Sequence, residues 1–320
     1  MGKSTFDVIK ANAYIGPIDR ASTGQVFYVN GSTVLAPGAI GGSNGNNGLS
    51  PQEPFSTIEY AVDQCTANRG DTIYVLPSHT ETVAAADLNI DVAGVSVIGL
   101  GQGAARATLN LTATGSVVQL SAANCLLEHF LVTGGIDAIV SPIRVSAADC
   151  ALRDIEYRDV TGQCTDGLLT TAAADRLLID GYTHNGDTGV AGTNAAIALV
   201  GGNRITIRNL WADGDFAVGV IDVRTTATTN LEVYNVRART RNTVDIIIID
   251  TITGSTGNIG PNMQVRLQEN AINITEAITG ATWVLHGGGA SGLVTGMGIS
   301  VVNLAGEQGM PINTTQSTDA

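Results

Sequence analysis

The residues best placed to do chemistry in this chain are acidic and close together. Asp213 and Asp215 sit in the run Trp211-Ala-Asp-Gly-Asp, and Asp222 follows. Two carboxylates about 5 to 9.5 Å apart would serve glycoside hydrolysis, and three could hold calcium for a polysaccharide lyase. A lyase also needs a basic residue beside the metal; Arg204, Arg208 and Arg224 are in range, and nothing singles one out. The plainer reading of Asp213-Gly214 is ordinary turn chemistry, and it is the favoured one. No catalytic residue is therefore assigned, and Asp213, Asp215 and Asp222 form the catalytic set of an alternative reading only.

Histidines offer less. His184-Asn-Gly-Asp187, with Asp180 upstream, has the composition of a general base and its orienter, but a solvated loop is the commoner case. His79 with Glu81 and the lone His129 are weaker candidates, and His286 before Gly287-Gly288-Gly289 reads as structural. Gly99-Leu-Gly101-Gln-Gly-Ala104 matches a dinucleotide-binding pattern, yet that motif must open a helix. The following Ala107-Thr-Leu-Asn-Leu111 alternates like a strand, so a turn is expected instead. The four cysteines, Cys65, Cys125, Cys150 and Cys164, stand at no metal-binding spacing and read as reduced, buried residues. Neither a cofactor nor a metal is expected.

Composition narrows the scaffold that must carry these residues. Hydrophobic residues make up 44% and charged residues 14%, which excludes a chain disordered throughout. The net charge of -13, without a cluster of Lys and Arg, argues against nucleic acid as a partner. No run of about 20 apolar residues is present, so no membrane span is expected. The first sixteen residues lack the apolar stretch of a secretory signal.

A repeat then organises the middle of the chain. Short alternating runs end on Gly99, His129, Asp154, Asp180, Asn209 and Asn235, at spacings of 30, 25, 26, 29 and 26 residues. Strands recurring at this period with no helix between them are the mark of a solenoid. Second strands fall between the anchors, as at Ile143-Arg144-Val145 and Val218-Gly219-Val220-Ile221. The residues just before each anchor, Val97, Leu127, Leu152, Leu178, Ile207 and Val233, should stack inside, and Cys125 and Cys150 should lie one rung apart. The expected fold class is all-β, a right-handed parallel β-helix with an N-terminal capping helix and a distinct C-terminal β region. Residues 1–50 read as an arm and loop, 51–254 as the capped solenoid, and 255–320 as a C-terminal β-rich region and tail.

The helix is announced by Ser56-Thr-Ile-Glu59, a capping box, with Ile58, Ala61, Val62 and Cys65 at helical spacing. Pro54-Phe55-Ser-Thr-Ile58 followed by Gly70-Asp71-Thr72-Ile73-Tyr74-Val75-Leu76-Pro77 resembles the opening of pectate-lyase-like right-handed parallel β-helices, common among bacteriophage tailspikes and other virion surface proteins. The resemblance is specific over residues 54–77 and generic along the rungs to about 250. It implies a homotrimer on a virion exterior, made in the host cytoplasm. It does not fix function, because this fold carries lyases, hydrolases, adhesins and inert decoration proteins. With 14 aromatic residues in the chain, a broad aromatic platform for glycan is hard to build. The leading expectation is a capsid decoration (cement) protein that binds the major capsid protein. The alternatives are a tailspike-like polysaccharide depolymerase and a non-catalytic adhesin or fibre that binds host surface glycan.

Overall fold

The computed structural model describes residues 24–84, 88–159, 164–186, 193–240, 249–250, 252, 254–260, 263–267, 282–285 and 300–303. Residues 1–23, the tail after 303, and Asp187 and His286 among the residues named above lie outside this set. The chain is nearly all β, a parallel β-solenoid built from one sheet of 15 strands and one of 7. The long sheet runs in order through Val26–Val29, Thr72–Val75, Ser96–Gly99, Leu126–Gly134, Ala151–Asp159, Leu178–Asp180, Thr206–Gly214, Leu231–Thr240, Thr256–Ile259 and Thr282–Leu285. The short sheet stacks Leu88–Ile90, Val118–Leu120, Ile143–Val145, Asp166–Thr170, Thr193–Leu199, Phe216–Val223 and Ile249–Asp250. From Thr72 to Asp250 each coil thus gives a strand to both sheets, and successive coils pair in parallel.

Register explains the repeat. Val97, Leu127, Leu152, Ile179, Ile207 and Val233 face one another in successive coils, and each is no more than 1% exposed. Leu178, expected in that stack, is only half-buried, and its neighbour Ile179 takes the inner place. The cause is a bend residue displaced by one. Every long strand in this region bends at a residue with left-handed backbone: His129, Asp154, Gly181, Asn209 and Asn235. A second such residue stands five positions earlier in each coil, at Asn124, Asp149, Arg176, Arg204 and Asn230. All ten have φ between 47° and 76°, a region open to Gly and tolerated by Asn, Asp and His. In the fourth coil Gly181, not Asp180, is the bend, and the inner residue two places before it is Ile179.

At the bend the alternation of faces resets. Leu127 and Phe130 both point inward although three residues apart, while Glu128 and His129 between them are part-exposed. Each long strand therefore presents two legs around the core. Cys125 and Cys150 stack in adjacent coils as expected, both 1% exposed and free. Burial pushes the Cys150 thiol up to about 11 and raises that of Cys125, so both stay protonated.

At the N-terminal end the outermost strand of the long sheet is Val26–Val29, paired on Thr72–Val75. The helix Ile58–Asp63 buries Ile58, Ala61 and Val62 in the main core. Its N-cap is Thr57, one residue later than the capping box places it, and the Thr57 hydroxyl accepts from Tyr60 N at 3.4 Å. Asp71 of the Gly-Asp-Thr-Ile run anchors this end. It is fully buried and accepts from Gln25 N, Thr66 N and the Arg69 guanidinium at 2.6–2.7 Å. Burial alone would raise its pKa, but Arg69 and the two amides hold it below the usual carboxylate value.

Beyond Gly254 the sheet continues, and so does the coil interval, with Leu231 opposite Gly257 and Gly257 opposite Trp283. Thr256–Ile259 and Met263–Leu267 both pair in parallel on Leu231–Thr240, and Thr282–Leu285 and Ser300–Asn303 pair on those in turn.

The register yields a test of adjacent residues. Ile179→Asp should place an unpaired charge in the core and cost more than about 4 kcal/mol. Leu178→Asp should keep a cooperative fold with a far smaller loss. Thermal unfolding followed by circular dichroism separates the two, and the reverse order would refute the bend at Gly181.

Candidate functional site

The bend between strands decides where the three candidate acids go. Asp213 ends the second leg of Thr206–Gly214 in the long sheet, whereas Asp222 lies in Phe216–Val223 of the short sheet. Asp215 is the single residue between these strands and is part-buried. The chain turns from one wall of the solenoid to another within this stretch, so the carboxylates do not share a face.

Two of the three, Asp213 and Asp222, are instead paired with arginines. Arg239, one coil on and in register with Asp213, grips it with both ends of its guanidinium; Nε donates to Oδ1 at 2.9 Å. Asp222 is 3% exposed and stands 3.1 Å from Arg224 Nε. Arg224 also donates through Nη2 to Asp166, two coils earlier and 4% exposed. Burial raises the Asp166 pKa, and Arg224 offsets part of that rise. Asp166, Arg224 and Asp222 therefore form an acid–base–acid group on the outer side of the short sheet. Of the three arginines in sequence range, this group uses Arg224. Arg208 is paired with Asp180 at 2.7 Å, and Arg204 is an exposed residue in left-handed backbone.

A guanidinium between two desolvated carboxylates offsets the cost of burying them. It also places a fixed positive charge against both carboxylates, where a general base or a calcium site would need them uncompensated. Asp166 was missed in the sequence because 58 residues separate it from Arg224. The signal that finds it is the repeat, since Asp166 occupies the short-sheet strand two coils before Phe216–Val223. Among the described residues no group of three or more His, Cys, Asp or Glu is placed to hold a metal.

The histidines are engaged in packing. His79 is buried; its Nδ1 accepts from Gly31 N at 2.7 Å, which puts the ring proton on Nε2, directed at Glu81 Oε2 at 2.8 Å. Glu81 Oε2 in turn accepts from Ile58 N at 3.0 Å, the first amide of the helix. The pair links loop, strand and helix. His129 sits at its bend between the Gly101 carbonyl, 2.6 Å from Nε2, and the Asp154 carboxylate of the next coil. Gly99 ends the strand Ser96–Gly99, and the chain then turns through the 3₁₀ segment Gly103–Ala105 into the strand Thr108–Leu111.

His184 lies inside the solenoid, 1% exposed and edge-on to Tyr157, Tyr182 and Phe216. The space for its ring exists because residue 167 is glycine: a Cβ there would stand 2.4 Å from His184 Nδ1. Among the described residues neither ring nitrogen has a hydrogen-bond partner, and neither does the Tyr182 hydroxyl. Asp180, the orienter expected from sequence, is taken by Arg208 and Asn209.

No known protein family matches the chain, nor does any curated protein or solved structure.

His184 predicts a pH effect. Burial lowers its pKa from 6.5 to about 3, so the unfolded chain takes up the proton first. The resulting stability is complete above pH 6.5 and is lost as the pH falls toward 3, by up to about 1.4 kcal/mol per pH unit. His184→Phe should lose less stability than the wild type between pH 7 and pH 4.5 in urea unfolding. Equal losses would show that His184 can be protonated where it stands.

Proposed function

We propose that this protein is a non-catalytic structural component of a bacteriophage virion, a homotrimeric decoration (cement) protein on the capsid exterior that binds the major capsid protein. The observation carrying this reading is that Asp213 and Asp222 stand on different walls and are paired with Arg239 and Arg224. The described histidines are likewise committed to packing or to links between coils. What remains is an uninterrupted parallel stack, suited to a rigid body. The virion setting rests on the resemblance over residues 54–77.

A decoration protein works by bridging. A trimer set across a junction of capsomers multiplies weak contacts through effective concentration, and so raises the temperature at which the shell fails. Assembly would follow synthesis in the host cytoplasm, with no cofactor involved. A second reading, a glycan-binding adhesin, is favoured by Trp211, an exposed aromatic set between Thr183 and Arg237 of the adjacent coils.

The test has two arms. Incubation with host capsular polysaccharide should release no new reducing or unsaturated ends. Mixing with capsids stripped of decoration should give saturable binding and a higher opening temperature in calorimetry. Released ends would establish the depolymerase reading, with Asp166, Arg224 and Asp222 the first residues to replace. Failure to bind capsids would remove the cement role.

A further inference from the structure

The loop that closes the N-terminal end of the solenoid is built inside out. Residues 31–52 follow the strand Val26–Val29 and return to its free edge, where Tyr28 N donates to Gly48 O and Phe55 N to Tyr28 O. The polar side chains of this loop hold it together. Asn44 accepts from Ser56 N at 3.1 Å, Asn46 donates to the Gly41 and Pro54 carbonyls at 3.1 and 2.8 Å, and Asn47 accepts from Leu49 N at 2.8 Å. Backbone bonds from Ile40 to Gln52, Ser43 to Pro54 and Gly48 to Glu53 lace its two halves. At Gly42 a Cβ would stand 1.8 Å from the Asn30 carbonyl oxygen, so the loop lies directly against the end of the strand.

Its apolar side chains are the ones left in water. Of the six large apolar residues exposed among the described residues, Val34, Leu35, Ile40 and Leu49 belong to this loop, at 40–60%. The loop is also neutral: Asp, Glu, Lys, Arg and His are all absent from Gly31 to Gln52, in a chain of net charge -13. The end of a solenoid ordinarily carries a polar, charged cover, because a bare end recruits further strands. Here the strand edge is covered, but the cover itself is apolar. Apolar surface held out in a fixed shape marks a contact with another molecule. The loop supplies about the 20 residues that a standard interface takes from each side.

We infer that this loop pairs with the same loop of a second copy of the chain, joining two solenoids by their N-terminal ends about a two-fold axis. A neutral apolar surface is complementary to itself, and a two-fold contact sets identical patches against each other. Charge selects both the partner and the place. Two copies of an acidic chain repel wherever their charged walls approach. On this loop they meet without like charges, as the charge-poor centre of an interface requires. A strongly charged partner would find no opposite charge here to fix it. The inference goes beyond the trimer reading and does not rest on it: where trimers form, the same contact joins two of them end to end.

Sedimentation equilibrium of the full chain, in a dilution series starting at about 100 µM, reads the contact directly. The wild type should sediment as an even number of chains, two where single rods pair and six where trimers do. Leu35→Asp and Ile40→Asp should each weaken the contact at least about tenfold, toward half that mass, with far-ultraviolet circular dichroism unchanged. Leu49→Ser takes their place where an aspartate variant loses that signal. Val140→Asp, at a residue 55% exposed in another coil, should dissociate as the wild type does. One chain or three in the wild type refutes the pairing, and three does so while leaving the trimer reading intact. It is refuted as well if the loop variants dissociate like the wild type, or if Val140→Asp weakens the contact as much as they do. Loss of capsid binding by the loop variants, with their mass unchanged, would show that the loop faces the capsid and would overturn the pairing.

Discussion

A coil of this solenoid has no interior of its own. Its apolar residues lie along a ribbon and are removed from water only when the next coil places a matching ribbon against them, with the backbone amides of each strand bonded to its neighbours. Everything else follows from keeping that register. A slip by one residue would turn Leu152 outward and Arg153 inward. The device that fixes it is the pair of left-handed residues set five apart in each of five coils, such as Asn124 with His129 and Asn230 with Asn235. They mark where a strand begins and where it bends, whatever the length of the connections elsewhere.

The same repeat governs the polar exterior. Arg176 reaches Asp149, Arg208 reaches Asp180 and Arg239 reaches Asp213, each across 26 to 28 residues, or one coil. Asn235 donates to Asn209, and Asn209 donates to Asp180. Side chains on this surface find their partners above and below sooner than beside them in sequence. A carboxylate at a strand position is therefore captured unless its neighbouring coils present nothing basic, and this limits the chemistry the surface can offer.

Much of the fold was legible because alternation and period are local. Five of the six inner residues were placed from the sequence. The sixth was missed because Arg176-Leu-Leu-Ile-Asp-Gly181 offers two turn formers in succession, and Asp180 was taken for the bend that Gly181 makes. The helix was legible from its apolar spacing, although its first amide is capped by Glu81 from a distant strand. The candidate site was less legible. Nearness along the chain joined Asp213 to Asp222, while a turn of only one residue sends their strands to different sheets. Asp166 and Arg224, far apart in sequence, were brought together by coils that stack with intervals of unequal length. An interior histidine such as His184 reads from sequence like a loop histidine, because the glycine that makes room for it lies in another strand.

The constant five-residue interval has a consequence for how such a chain changes length. Connections elsewhere in the coil vary, but the bracketed strand always returns with the same faces inward. Excising or duplicating one whole interval, for instance from Arg176 to the residue before Arg204, would leave inner residues opposite inner residues and left-handed corners opposite left-handed corners. The rod would shorten or grow by one rung, about 4.8 Å, without disturbing either neighbour. Insertions of any other size would have to be absorbed in the variable connections. The architecture thus behaves as a ruler with graduations, along which length is inherited in discrete steps.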